Sequence, residues 1–278
     1  MNNFFSIIVP NLNHGEYLEG CLLSILQQKY ENFEIIILDG GSKDGSLEII
    51  KNFAKVNKSI TYWHSKKDNG QSNAINFGIK LAKGSWITWQ NSDDLFSTND
   101  ALRIFNENIN LNPKKKLFVA NMNLISKNNK KIKELKYIKP NFYSLLYEGM
   151  TLSNQCSFWH KSLNNDLGYL KDYDVDFDYE WYLRILNNYP TCGIHINKTL
   201  ASYRIHSGQK THQKNEHQLK RIKKIKLQYG KSNNFFISFV LKNSLIVKRI
   251  IYYISNREFL YLYNGFINRF LLFLERKK

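Results

Sequence analysis

The sequence predicts an α/β fold: a mostly parallel sheet flanked by helices, followed by a helical extension. Short apolar runs alternate with segments of helical period, the runs end in polar or glycine-rich turns, and a basic, aromatic helical pattern closes the chain. Strands are expected at residues 5–10, 33–39, 60–64, 86–90 and 117–121, each a short apolar or aromatic run. Helices at 16–28, 46–57, 71–83 and 99–112 space apolar residues three or four apart and begin near Asn, Asp, Ser or Gly. This βαβα order makes the sheet mainly parallel. In such sheets ligands bind where the strands' carboxyl ends open into loops. The polar residues gather there: Asn11 and Asn13 after the first strand, Asp39 after the second, and Asn91, Asp93 and Asp94 after the fourth.

Beyond residue 130 the alternation fades into a Lys/Asn-rich link. Segments 142–147, 154–160 and 177–188 then read as an insert completing the same domain. Residues 1–215 form one unit on this reading, and residues 216–278 a basic amphipathic extension. The net charge of +17 sits mostly at that end: from Gln209 to Lys278, 16 Lys/Arg face 3 Glu, leaving 24 basic and 20 acidic residues before it. With 43% hydrophobic residues, 278 residues can bury a sizeable core. Cys21, Cys156 and Cys192 are odd in number and form no close pair, which argues against a disulfide framework or a cysteine metal site and for a reducing compartment. MNNFFSIIVP lacks a basic start and a cleavage site, so it reads as a buried strand rather than a signal peptide. No apolar run approaches the roughly 18 residues of a membrane span, and a cytoplasmic protein is expected.

WITWQNSDD, residues 86–94, runs a buried strand into two adjacent acids. Carboxylates side by side repel, which suggests a cation beside them; the alternative is that Ser92 or Asp93 caps the next turn. In residues 176–184, DFDYEWYLR, a helix would place Asp178, Tyr182 and Ile185 on one side. A carboxylate in that first turn can face the crevice, or can merely offset the helix dipole.

Four blocks carry a resemblance: FSIIVPNLNHGEYLEGCLLSILQQ, FEIIILDGGSKDGSLEII, DNGQSNAINFGIKLAKG and SWITWQNSDDLF. In this order they resemble the conserved blocks of inverting family 2 glycosyltransferases of the GT-A fold, a family abundant in bacterial surface-polysaccharide assembly. The resemblance implies that Asp93 is the metal ligand for Mn²⁺ or Mg²⁺, with Asp94 assisting and Asn91 replacing the first acid of the family's Asp-x-Asp signature. It makes Asp39 the nucleotide-base contact, with Gly40 where many members carry a second Asp. Pro10, Asn11, Asn13 and Glu16 resemble the first nucleotide-binding loop. Asp68, Gly70, Gln71, Asn73 and Asn76 open a helix toward the donor, and each also has a plain capping or turn reading. The acidic motif aligns Asp178 with the catalytic base, with Glu180 in reserve. LASYRIHSGQKT resembles a further block in which His206 and Lys210 reach the donor diphosphate, while Asn154, Gln155 and Trp159 are candidates for the acceptor side.

The implied reaction is a single displacement with inversion, from a nucleotide-sugar donor, a UDP-sugar being favoured, to a saccharide or lipid-linked saccharide. A dinucleotide enzyme is disfavoured because no G-x-G-x-x-G follows the first strand. A non-catalytic module holding nucleic acid through Lys223, Lys224 and Lys226 is the alternative, and a less favoured one. For the tail, contact with an anionic membrane at the inner face of the cell membrane stands beside a capping or homodimer role.

Overall fold

The computed structural model describes residues 2–209, 216–232, 234–259 and 261–263. Its parallel half is built as the alternation predicts: β1 (Phe5–Asn11), α1 (Gly15–Leu26), β2 (Phe33–Asp39), α2 (Ser46–Val56), β3 (Ile60–Ser65), α3 (Gln71–Leu81) and β4 (Trp86–Trp89). β1 pairs in parallel with β2 and β4, and β2 with β3. Every residue of β1 and β2 is buried, as expected of parallel strands covered on both faces. Gly78 lets α3 lie close on β1, since a Cβ there would stand 2.6 Å from Ile8 Cγ2. That approach fixes the start of α3 at the carboxyl edge of the sheet.

The second half adds β5 (Leu95–Phe96), α4 (Ala101–Leu111), β6 (Leu117–Ser126), β7 (Lys131–Leu135), α5 (Phe142–Glu148), β8 (Ser157–His160), α6 (Ser162–Leu167), α7 (Phe177–Asn188) and β9 (Gly193–Ile205). Among the described residues the sheet runs β3-β2-β1-β4-β8-β6-β9-β5, with β7 on β6. The sheet is thus mixed: β8 is antiparallel to β4 and β6, while β9 is parallel to β6. The Lys/Asn-rich link proves to be a hairpin, since β6 runs to Ser126 and turns into β7. Its exposed Lys131 and Lys133 discourage edge pairing and mask the strand pattern.

After residues 210–215, α8 (Glu216–Gln228) and α9 (Phe235–Ser255) pack back on the body. Ile225 of α8 enters the core, Tyr229 donates to Glu180 Oε1 at 2.7 Å, and Gln218 donates to Asp176 Oδ1 at 3.0 Å. On α9, Tyr253 is buried and donates to the Lys136 carbonyl, while Arg249 pairs with Glu148 of α5 at 2.7 Å. No helix among the described residues is long and apolar enough to cross a membrane.

Candidate active site

The carboxyl ends of β1 and β4, the start of α3 and the first turn of α7 surround one cavity of about 540 Å³. Of the residues singled out in the sequence, Pro10, Asn11, Asp68, Gln71, Asn91, Asp93 and Asp178 lie on its wall, as do Asn154 and Gln155. Asp93 and Asp178, 85 positions apart in the chain, therefore share one cavity.

Asp93 is buried, and its Oδ2 stands 3.0 Å from His206 Nε2. The Gly208 amide donates to His206 Nδ1 at 3.3 Å, which leaves Nε2 as the ring nitrogen facing the carboxylate. His206 also packs against Tyr17, with ring centroids 4.8 Å apart. His14, at the end of the β1–α1 loop, brings its ring beside Ser92 Oγ at 3.1 Å. One ligand atom each from His14, Asp93 and His206 lies within 4.8 Å of the others. Ligands of an octahedral ion with bonds of about 2.1 Å stand roughly 3–4.2 Å apart, so the three atoms lie near that spacing without matching it. His14 carries no local signal in the sequence: a histidine in a turn looks the same whether it binds an ion or not.

Adjacent residues Asp93 and Asp94 do different work. Asp94 is fully buried off the cavity wall, accepting from the Arg204 amide at 2.9 Å, Gln155 Nε2 at 2.9 Å and Asn91 Nδ2 at 3.1 Å. Burial, and then the neighbouring Asp93, push its pKa well above the ordinary carboxylate range against those three bonds. Asp94 thus clamps the end of β9 onto the β4 loop, placing His206 beside Asp93, and the assisting role expected of it is here a structural one, off the cavity wall. Asp94→Ala is expected to cost about 2–4 kcal/mol, because three donors lose their acceptor, and a urea unfolding midpoint checks it. Asn91 suits this setting. Its Nδ2 serves Asp94 while its Oδ1 accepts from Gln71 Nε2 at 2.9 Å, whereas an Asp there would set a second carboxylate against Asp94.

Several expected donor contacts have other partners. Asp39 is buried and accepts from Asn11 Nδ2, the hydroxyls of Ser42 and Ser65, and the amides of Gly41 and Ser42. Burial alone would raise its pKa, but these bonds outweigh it and hold the value below the usual range. Asp39 organises the LDGGS turn, in which Gly41 has φ +85°. A Cβ at Gly40 would meet Asp68 Oδ2 at 3.2 Å, so a second acid at that position would crowd the α3 loop. Asn13 caps the Lys43 amide, Glu16 is exposed and pairs with Lys127 at 2.9 Å, and Asn76 bonds the backbone of Leu170 in both directions at 2.9 Å. None of Asp39, Asn13, Glu16 and Asn76 lines the cavity. Trp159 is core, donating to Asn164 Oδ1 and packing edge-on to Trp89 and Trp181. Lys210 lies outside the described residues.

Asp178 sits in the first turn of α7, half-buried, accepting from the Tyr179 amide at 2.7 Å. Burial, opposed by that bond and reinforced by Asp176, raises its pKa to about 6. Glu180 points away from the cavity, 2% exposed and bound by Arg184 at 2.8 Å and Tyr229, so it is not the reserve base.

The sequence profile described as Glycosyl transferase family 2 matches residues 6–163, more than half of the chain. The chain belongs to glycosyl transferase family 2. Glycosyltransferase GlyG of Streptococcus pneumoniae serotype 4 is 40% identical over 99 residues, covering 36% of this chain and 33% of GlyG. An uncharacterized glycosyltransferase of Haemophilus influenzae is 41% identical over 97 residues, 35% of this chain and 38% of that protein. The chain therefore spans well under half the length of these curated relatives. In fold, this family 2 chain is similar to S. aureus TarS 1–349 in complex with UDP-GlcNAc, with TM-score 0.66, 17% identity and coverage of 87% of this chain and 71% of that one. Mannosyltransferase PcManGT from Pyrobaculum calidifontis, in complex with GDP-Man and Mn²⁺, is similar with TM-score 0.55, 18% identity and coverage of 75% and 59%. The GT-A expectation drawn from the four blocks is thereby met.

Proposed function

We propose that the chain is a metal-dependent, inverting glycosyltransferase moving a sugar from a nucleotide diphosphate donor to a hydroxyl of a saccharide or lipid-linked saccharide, in polysaccharide or glycolipid biosynthesis. The observation that carries this is the placement of Asp93 and Asp178 on one cavity at the carboxyl edge of the sheet. Asp93, His206 and His14 would hold the divalent ion, which when bound supplies positive charge at the donor's diphosphate. Two imidazoles and one carboxylate suit Mn²⁺ better than Mg²⁺, which prefers oxygen ligands. Asn11, with a buried Oδ1 free of protein partners, offers the donor a hydrogen-bond acceptor. Asn154, with a buried Nδ2 in the same state, offers the acceptor sugar a donor.

Asp178 accepts the proton of the attacking hydroxyl. With its pKa near 6, it is ionised at neutral pH yet basic enough to share that proton in the transition state. The other carboxylates on the wall, Asp68 and Asp176, are engaged by the Gly70 amide and by Gln218, which supports direct displacement and inversion over an enzyme nucleophile.

UDP-GlcNAc and GDP-Man, each with and without Mn²⁺, test the reading by thermal shift. A cognate donor at a hundredfold excess over its Kd is expected to raise Tm by roughly 5–10 °C, with Mn²⁺ required for the full shift. Absence of any shift across UDP-, GDP- and dTDP-sugars sinks it.

A further inference from the structure

Helix α9 has its apolar side turned outward. Leu245, Tyr252 and Tyr253 face the body, while Phe236, Val240, Val247, Ile251 and Ile254 recur at intervals of four, seven, four and three residues on the opposite side. These five are between 47% and 71% exposed, and Phe235 and Phe239 beside them are 83% and 55% exposed. A helix lying on a protein in water shows the reverse pattern, with its polar residues outward, and an exposed apolar strip interrupted only at Asn243 and Ser244 marks a surface that something covers.

Two further observations say what covers it. The first is charge. Lys223 and Lys224 on the exposed side of α8, with Lys231, Lys242 and Lys248 around α9, form no ion pair with a described carboxylate. Lys226 lies close enough to Lys231 and Lys242 that, after burial, their charges help lower its pKa to about 8. A second copy of the chain would bring the same unbalanced cations against these. An anionic surface would neutralise them.

The second observation is position. Lys136, on the backbone between Leu135 and Tyr137, is held by α9 and the residues after it: its carbonyl accepts from Tyr253, its ammonium pairs with Glu258, and its amide donates to Tyr261. Leu135 and Tyr137 on either side line the cavity, together with Met122, Leu124, Met150 and Leu152. The apolar wall of the cavity is thus backed by the helix whose other face is the exposed apolar strip.

We propose that α9, with the cationic side of α8, lies in the plane of an anionic lipid bilayer surface and seats the cavity's apolar wall beside it. The strip enters the headgroup boundary, and the unpaired lysines of α8 and α9 draw the anionic surface toward it.

The full-length protein is sedimented with vesicles of phosphatidylcholine alone and of phosphatidylcholine mixed equally with phosphatidylglycerol. Strong sedimentation with the anionic vesicles, weakened by added salt and slight with the neutral ones, is expected. Val240→Glu, Val247→Glu and Ile251→Glu together should lower the partition about a hundredfold. In a second variant, Lys223→Glu with Lys242→Glu should lower it on anionic vesicles alone, and both variants should keep the donor-induced thermal shift. Equal binding by the triple variant, or none by the parent protein, overturns the proposal. So does a dimer in sedimentation velocity that the triple substitution dissociates, since the strip would then be covered by a second copy. Loss of the donor shift in the parent protein would strike the glycosyltransferase reading and leave the vesicle result standing.

Discussion

Replacing Asp178 with Asn is expected to lower kcat by about 10²- to 10⁴-fold while making the protein more resistant to heat. The amide keeps the shape of the carboxylate and can still accept from the Tyr179 amide, but it cannot take a proton. The gain in stability follows from sign. Because burial raises the folded pKa from 3.8 to about 6, the ionised form is disfavoured by the fold. Stability is therefore highest below 3.8, falls as pH rises from there through about 6, and above that carries a penalty on the order of 3 kcal/mol. The Asp178→Asn protein would be free of that penalty at neutral pH. The parent enzyme's kcat/KM should climb with pH and level off above an inflection near 6, and the variant's residual rate should lack that inflection. Full turnover by the variant, or an unchanged pH profile, would remove Asp178 from the base role.

The second large effect is at Asp93. Asp93→Ala is expected to reduce transfer by about 10³-fold and to abolish the Mn²⁺-dependent part of the donor's thermal shift. The fold should survive, because the clamp on β9 belongs to Asp94 and the Arg204 guanidinium binds the Asp93 carbonyl, not its side chain, at 2.7 Å. The two neighbours thus give opposite phenotypes: loss of function with retained stability at 93, loss of stability at 94. A variant of Asp93 that kept Mn²⁺-dependent donor binding would move the ion elsewhere.

The parallel half was legible because its signals are local: apolar runs bounded by turns, and helices of regular period. Residues 177–188 were readable for the same reason, and α7 spans them. Illegible were the features that depend on distant partners. β5 is two residues long and exists only through its pairing with β9, more than a hundred positions later. β7 was hidden by its lysines, which signal solvent whether or not the backbone is paired. At the site, an acidic doublet in a sequence does not say which carboxylate faces the cavity and which turns into the protein, as Asp94 does. His14 gave no signal because its neighbours, Asp93 and His206, come from other strand ends. Glu180 was indistinguishable from a base until Arg184 and Tyr229 were seen around it.

The clamp at Asp94 also sets an order of events. It gathers Asn91, Gln155 and Arg204 on one carboxylate, and His206 follows two residues later. A nascent chain that has emerged only as far as α7 can already stack its parallel strands, yet its Asp93 still lacks His206. Competence therefore arrives late in synthesis, with β9, and the earlier layers must stay soluble without help from any ligand until that strand docks.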